Sequence, residues 1–179
     1  MLDTLITNKT RIKLLLRFFL NSKSTSYLRG LESEFDESTN AIRLELNRFE
    51  KSGLLVSDKE QNRKVYQANT RHPLYPEIHN LIRKYVGFDQ LVEKVVRKLG
   101  GIRKAYITGN LAKGLDSKTI ELVLVGNHLD EDYLSRLVSR AEKIIHRKVL
   151  WVILSDGQEA SYMQEFPEAL LIWKANGRA

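Results

Sequence analysis

The sequence has no cysteine, only three prolines and no long apolar run. Without cysteine, disulfides, zinc ribbons and thiol nucleophiles are excluded, and soft metals lose their preferred thiolate ligand. The most apolar stretch, IKLLLRFFL, is interrupted by Lys13 and Arg17, whereas about 18–20 apolar residues are needed to span a bilayer. The first residues also lack the basic, apolar and small-residue succession of a signal peptide. We therefore expect a cytoplasmic protein with no membrane partner.

The positive charge is concentrated in the first hundred residues. Of the formal net charge of +7, residues 1–70 contribute +3, residues 71–100 contribute +3 and residues 101–179 contribute +1. This distribution favours an anionic partner such as nucleic acid, although solvated surface lysines produce the same count. A chain of 179 residues is long enough for one large domain or two small ones.

Residues 1–70 are predicted to form three helices followed by a β-hairpin. The first two helices lie in NKTRIKLLLRFFLNSKS and SYLRGLESEF, which carry apolar residues at helical spacing. The third is capped by Ser38, presents the stripe Ile42, Leu46 and Phe49, and ends near Gly53. In LLVSDKEQNRKVYQAN the pattern changes to period two, which indicates strand, turn and strand. This is the layout of a winged helix-turn-helix domain.

Residues 71–100 are predicted to form a helical linker, and residues 101–179 a second domain. The linker carries two apolar stripes, within 78–85 and 91–99, separated by Gly87. We expect a homodimer, with the 91–99 stripe as the first candidate for its seam and the 78–85 stripe as the alternative. The second domain alternates strands (IRKAYIT, TIELVLVG, KVLWVILS) with helices (DEDYLSRLVSRAEKIIH, EASYMQEF), and ALLIWKA is a short strand or helix. The overall fold class is therefore α/β, or α+β when both domains are counted.

The third helix offers the residue types that read DNA. A major groove admits one helix, and Arg and Asn make bidentate contacts to guanine and adenine edges. We expect base contacts from its N-terminal half and phosphate contacts from later positions and from the hairpin. The predicted DNA-binding residues are Thr39, Asn40, Arg43, Asn47, Arg48 and Lys51 on the helix, with Lys59, Arg63 and Lys64 on the hairpin. An ordinary solvated helix face remains an alternative, because Glu45 and Glu50 lie on the same helix.

The helix and hairpin resemble those of bacterial ArsR-like winged-helix regulators over about residues 8–70. The resemblance rests on the polar start at Ser38, the apolar stripe described above, Gly53 with its two leucines, and Arg63 three residues before Tyr66. It implies transcriptional regulation through double-stranded DNA. Members of that class often sense metals, but His72 and His79 are about 10 Å apart along a helix. We therefore predict no metal site.

The stretch ITGNLAKGLDSKTIELVLVG is similar to the core of minimal nucleotidyltransferase domains, and this second resemblance covers about residues 100–174. That family has a Gly-Ser turn, a small-x-Gly loop and a strand with two carboxylates one residue apart. A third carboxylate follows on a later strand. The glycine turn lets backbone N–H groups approach phosphate, and the carboxylates hold divalent metals. In this chain the turn is Gly109–Asn110, and Lys113 lies in the loop.

This chain departs from the nucleotidyltransferase pattern at the metal ligands. Thr119 and Glu121 take the places of the acidic pair, and the third strand, VLWVILS, has no carboxylate. One carboxylate is a weak ligand set for two hard cations. We therefore predict no catalytic residues and no cofactor. Nucleotide or anion binding through Gly109, Asn110, Lys113 and Glu121 stays open, and so does a purely structural or dimerising role.

These observations predict a DNA-binding transcriptional regulator with an inactive nucleotidyltransferase-like domain for ligand sensing or dimerisation. The predicted partners are double-stranded DNA, a second copy of the chain and a small anionic ligand. The competing hypothesis is an active nucleotidyltransferase that uses a nucleotide with Mg²⁺ to modify a protein or nucleic-acid partner. A third is a protein-interaction module whose winged helix no longer contacts DNA.

Overall fold

A computed structural model describes residues 2–175 of the chain. It divides into two compact units between Tyr85 and Val86. The first unit runs up to Tyr85 and includes Gly114–Asp116; the second comprises Val86–Lys113 and the chain from Ser117 onward. The segment 71–100, predicted as one linker, is therefore shared between the two units. The protein is a mixed α+β chain whose described residues form two sheets.

The first unit is a winged-helix arrangement of helices around a small sheet. Leu14, Phe18, Leu31 and Ile42 are completely buried in its core, as the helical spacing of the apolar residues predicts. Its elements in chain order are α1 (Leu2–Leu5), α2 (Lys9–Phe19), β1 (Thr25–Tyr27), α3 (Leu28–Phe35), α4 (Thr39–Lys51), β2 (Leu55–Glu60), β3 (Arg63–Ala68) and α5 (Tyr75–Val86).

Helix starts in this unit are set by side-chain caps. The Asn8 side chain accepts from the backbone N–H of Arg11 at the start of α2, and the Ser38 side chain accepts from that of Ala41 at the start of α4. Each cap satisfies one of the backbone donors that a helix leaves unpaired at its N-terminus. The positions of α2, α4 and the β2–β3 hairpin are confirmed.

The second predicted helix begins later than expected, because residues 25–27 form strand β1. The sheet has the order β1–β3–β2, and Ser26 of β1 lies opposite Tyr66 of β3. Ser26 and Tyr27, the first two residues of the predicted helical segment SYLRGLESEF, therefore precede α3. Pairing with a strand about forty residues later overrides the local helical pattern.

Helix α5 packs on α2 in the first unit. The rings of Phe19 and Tyr75 are 5.6 Å apart, and Tyr75 stacks on His79. His79 Nδ1 lies 2.6 Å from the backbone oxygen of Phe19. His72 precedes α5 and uses its Nδ1 to accept from the backbone N–H of Leu74. Both imidazoles therefore make structural contacts.

The second unit is built on a four-stranded mixed sheet of order β6–β5–β4–β7. Strands β5 and β6 are parallel and joined through α9, whereas β4 is antiparallel to both of its neighbours. The elements are α6 (Phe88–Leu91), a π-helical turn (Val92–Val96), α7 (Arg97–Leu99), β4 (Ile102–Thr108), α8 (Gly109–Ala112), β5 (Thr119–Gly126), α9 (Glu131–Ile145), β6 (Lys148–Leu154), α10 (Asp156–Glu165) and β7 (Leu170–Lys174).

The 91–99 stripe, predicted as the first candidate for a dimer seam, is mostly core of the second unit. Leu91 and Val95 are completely buried and Val96 is 2% exposed, because α6 and the π-helical turn pack on α9. Gly87 permits this approach: its φ is +91°, and a Cβ there would lie 2.3 Å from Ile145 Cγ2. The expectation was wrong because α9 carries the complementary apolar face.

No helix in the described part of the chain is both long and apolar enough to cross a membrane.

Candidate nucleic-acid interface and loop site

Helix α4 presents a mostly polar face to solvent. Ile42, Leu46 and Phe49 are buried on one side, so the remaining positions point away from the core. Thr39 is half-buried. The other predicted DNA-binding residues of the helix are exposed: Asn40, Arg43, Asn47, Arg48 and Lys51. The structure therefore brings these residues together on one face, whose N-terminal half holds Asn40 and Arg43.

Glu45 does not belong to this exposed face. Its side chain is 1% exposed and its carboxylate accepts from Arg11 Nε at 2.8 Å, with further hydrogen bonds from Arg48 and Asn8. Burial alone would raise the pKa of Glu45, but the Arg11 hydrogen bond and the charges of Arg11 and Arg48 outweigh it and hold the pKa below its usual value. Glu45 is thus an ionised anchor between α2 and α4.

Glu50, the second acid of α4, joins the helix to the hairpin. Its carboxylate accepts from Lys64 Nζ at 2.6 Å and from the Ser57 hydroxyl at 2.5 Å. The Lys64 and Ser57 hydrogen bonds lower the pKa of Glu50, and the same contact raises the pKa of Lys64. One carboxylate therefore fixes both strands of the hairpin to the end of α4.

These contacts change the electrostatics inferred from the sequence. Both acids that weighed against DNA contact are neutralised by cations of the same unit. Arg48 and Lys64 are partly committed to them, so their charges are less available to an external anion than the sequence indicated. By contrast, Arg43, Lys51 and Lys59 are exposed and make no side-chain hydrogen bond or ion pair with the residues that the structure describes.

Arg63, on the hairpin, lies over an aromatic ring. Its guanidinium carbon is 4.8 Å from the centre of the Tyr27 ring, within the range of a cation–π contact. Tyr27 ends β1, and Thr25–Tyr27 pairs with β3 at Val65–Gln67. Arg63 thus links the tip of the hairpin to the end of β1, and its side chain remains exposed.

Leu44 was not selected from the sequence, yet it lies on the same face. Its side chain is 51% exposed, between Asn40 and Arg48, which are one turn away on either side. Periodicity alone marks a leucine on a helix as a core residue. Leu44 could have been identified from the sequence, because it lies outside the stripe formed by Ile42, Leu46 and Phe49.

In the second unit, the predicted phosphate-handling turn is filled by a carboxylate. Gly109 has φ +66°, and a Cβ there would lie 2.0 Å from Glu121 Oε1. Thr108 and Glu121 are paired across β4 and β5, which brings the carboxylate against the turn. Asn110 is exposed, and Lys113 Nζ lies 3.5 Å from Glu168 Oε1. The negative charge of Glu121 opposes an anion at this turn.

The sheet register identifies what replaces the missing carboxylates. Leu150 of β6 lies opposite Glu121, and Lys148 lies opposite Thr119. A polar hydroxyl, one carboxylate and an exposed leucine therefore occupy the face where three metal-binding carboxylates would be needed. No group of three His, Cys, Asp or Glu suited to a metal occurs among residues 2–175. The residues present do not fit a pair of magnesium ions.

Another polar cluster lies toward the other end of β4. Glu159 of α10 accepts from Lys104 Nζ at 2.7 Å and from the Tyr106 hydroxyl at 2.5 Å, beside an open cavity of about 490 Å³. Burial raises the pKa of Tyr106, while the hydrogen bonds from Lys104 and Tyr106 lower the pKa of Glu159. The three groups satisfy one another and stabilise the packing of α10 on the sheet.

Comparisons with known proteins give partial structural similarity only. No protein-family model matches the chain, and no curated protein sequence does either. Reduced HlyU from Vibrio cholerae N16961 is similar with a TM-score of 0.36 and 18% identity, covering 51% of this chain and 82% of that one. A proposed nucleotidyltransferase from Sulfolobus solfataricus is similar with a TM-score of 0.38 and 24% identity, covering 54% of this chain and 86% of that one.

Proposed function

We propose that the chain is a DNA-binding transcriptional regulator whose winged-helix unit inserts α4 into the major groove. The observation that carries this proposal is the exposed face of α4, where Asn40, Arg43 and Asn47 are available for base contact. Both acids of the helix are neutralised within the unit, so the face is positively charged at Arg43 and Lys51. Asparagine and arginine are the residue types that pair with adenine and guanine edges.

Phosphate contacts are proposed for cations that have no competing partner. Lys51 at the end of α4 and Lys59 in the hairpin are exposed, without ion pairs among the described residues. Such cations release condensed counterions when they bind DNA, which contributes affinity without sequence preference. Lys64 and Arg48 contribute less, because each first has to weaken its contact with a glutamate of α4.

The second unit is proposed to have a structural or dimerising role. Support comes from Thr119 and Leu150 at the positions of two metal ligands, and from Glu121 against Gly109. Homodimerisation is proposed because one small module reads few base pairs and gains specificity by doubling its site. Of the two apolar stripes predicted for the seam, the one in α5 of the first unit remains a candidate, with the half-buried residues Ile78, Leu81 and Tyr85.

DNA binding is tested by selecting genomic fragments with the purified protein and measuring affinity against salt. Affinity should fall with a log–log slope of about −0.9 per neutralised phosphate. Arg43→Ala should weaken discrimination at one base by about 1–3 kcal/mol. Lys59→Ala should instead lower the affinity for all DNA sequences alike and reduce the salt slope by about 0.9. Lys118→Ala, an exposed lysine of the second unit, is the matched control and should change neither.

Two results would contradict the proposed function. Failure to bind any genomic fragment at low salt would favour a protein-interaction module. Incorporation of labelled nucleotide in the presence of magnesium, abolished by Glu121→Ala, would instead establish the nucleotidyltransferase hypothesis. We expect no incorporation, because a single carboxylate cannot hold the two cations that such a transfer requires.

A further inference from the structure

The exposed face of α4 has a central row with a defined order. Asn40, Leu44, Asn47 and Lys51 follow one another at intervals of four, three and four residues, which keeps them on one line of a helix with 3.6 residues per turn. The line lies opposite the buried stripe of Ile42, Leu46 and Phe49. These four residues are therefore the first that would reach the floor of a groove.

The second position of the row is apolar. Leu44 is 51% exposed, with Arg43 on one flank and Arg48 on the other. A single exposed leucine is common on protein surfaces, so its exposure alone has no meaning. Leu44, however, lies between two asparagines at the part of the helix farthest from the core. In the proposed complex its side chain would therefore face the base edges of the DNA.

The chemistry of the row matches one kind of base pair. In the major groove, adenine offers N7 and N6 to the amide of Asn, and thymine offers its C5-methyl group to apolar side chains. A G·C pair has no methyl group there. Along the axis, Asn40 and Leu44 are about 6 Å apart, and Leu44 and Asn47 about 4.5 Å. These are one to two base-pair steps of about 3.4 Å.

We propose that Leu44 reads a thymine methyl group, and that Asn40, Leu44 and Asn47 together select a half-site with A·T pairs at neighbouring positions. This assignment rests on the proposed DNA binding and identifies its substrate class. Arg43, at the side of the row, contributes a separate guanine contact. Leu44 is then a specificity-determining residue that makes no hydrogen bond.

The test replaces thymine with deoxyuridine, which lacks only the methyl group, one position at a time in a duplex selected by the protein. The wild-type protein should lose affinity about fourfold at one position of each half-site, the effect of leaving one methyl-sized apolar group unburied. Leu44→Ala should bind the thymine duplex about fourfold or more weakly and should be indifferent to deoxyuridine at that position. Leu74→Ala, a 55% exposed leucine of the same unit, should retain wild-type affinity and wild-type sensitivity.

The outcomes separate this inference from the function beneath it. If the wild-type protein binds the selected duplex but is insensitive to deoxyuridine at every position, Leu44 has no methyl contact and the inference fails alone. The same conclusion follows if Leu44→Ala keeps the wild-type sensitivity. If no duplex is bound at low salt, the proposed function fails and the inference fails with it. Circular dichroism of each variant verifies that its total helical content matches that of the wild-type protein.

Discussion

Glu45→Gln is predicted to destabilise the first unit by about 2–3 kcal/mol. The substitution keeps the size of the side chain, removes its charge and leaves an NH₂ group facing two arginines. Removing one partner of a buried ion pair costs about 3–5 kcal/mol, and Glu45 itself is 1% exposed. The remaining guanidinium groups, however, belong to side chains that are 37% exposed for Arg11 and 54% exposed for Arg48. Water can solvate these guanidinium groups, so the loss of unfolding free energy should be smaller than the about 3–5 kcal/mol of a fully buried pair.

The measurement is urea denaturation followed by circular dichroism, with hydrogen exchange of the α4 amides as a local probe. Both tryptophans, Trp151 and Trp173, lie in the second unit, so their fluorescence provides an internal reference for that unit. Glu37→Gln is the matched control, since Glu37 pairs with Lys13 at 2.9 Å while both side chains remain partly exposed. It should cost at most about 1 kcal/mol.

The stability difference between the wild-type protein and Glu45→Gln is predicted to depend on pH. Because the folded-state pKa of Glu45 is lowered, its ionised form stabilises the fold at neutral pH. That stabilisation is lost as the pH falls below the ordinary value of 4.5 and through the folded pKa. The difference in free energy of unfolding between the wild-type protein and Glu45→Gln should therefore be constant above pH 4.5 and become smaller at lower pH. Equal losses for Glu45→Gln and Glu37→Gln, or a gap that widens in acid, would refute the anchoring role of Glu45.

Two further predictions concern the second unit. Gly109→Ala should destabilise it by about 1–3 kcal/mol, since an L residue at positive φ is strained and the new Cβ displaces the Glu121 carboxylate; an unchanged tryptophan unfolding transition would contradict that packing. Leu91→Ala should cost about 2–5 kcal/mol in the same assay without altering the oligomeric state measured by sedimentation, because Leu91 is fully buried within the unit. Dissociation of a dimer without loss of stability would restore the 91–99 stripe as a seam.

The sequence was most informative where a pattern is local. The start of α4 follows from the Ser38 cap and its register from Ile42, Leu46 and Phe49, and both can be read within a few turns of chain. The strands IRKAYIT, TIELVLVG and KVLWVILS were likewise located correctly, and TIELVLVG is the one whose burial leaves a nearly continuous apolar run. The candidate DNA-contacting face followed directly from the register of the helix.

What the sequence did not reveal depends on contacts between distant segments. Strand β1 is three residues long and exists only because β3 pairs with it. Glu45 has the sequence context of a surface acid, and its burial arises from Arg11, more than thirty residues earlier. The 91–99 stripe packs against the apolar face of α9 within the same unit, so most of it is not available to a partner subunit. Periodicity shows that a face is apolar but does not identify what covers it.

The hydrogen bonds that Glu50 accepts from Lys64 and Ser57 restrain the distance between α4 and the hairpin. Since both strands are linked to the last turn of the helix, the separation of α4 and the hairpin would already be restrained in the free protein before the proposed DNA complex forms. In that complex, a duplex that requires a different separation between a base under α4 and a phosphate under the hairpin would first have to weaken the contact of Glu50 with Lys64 or Ser57.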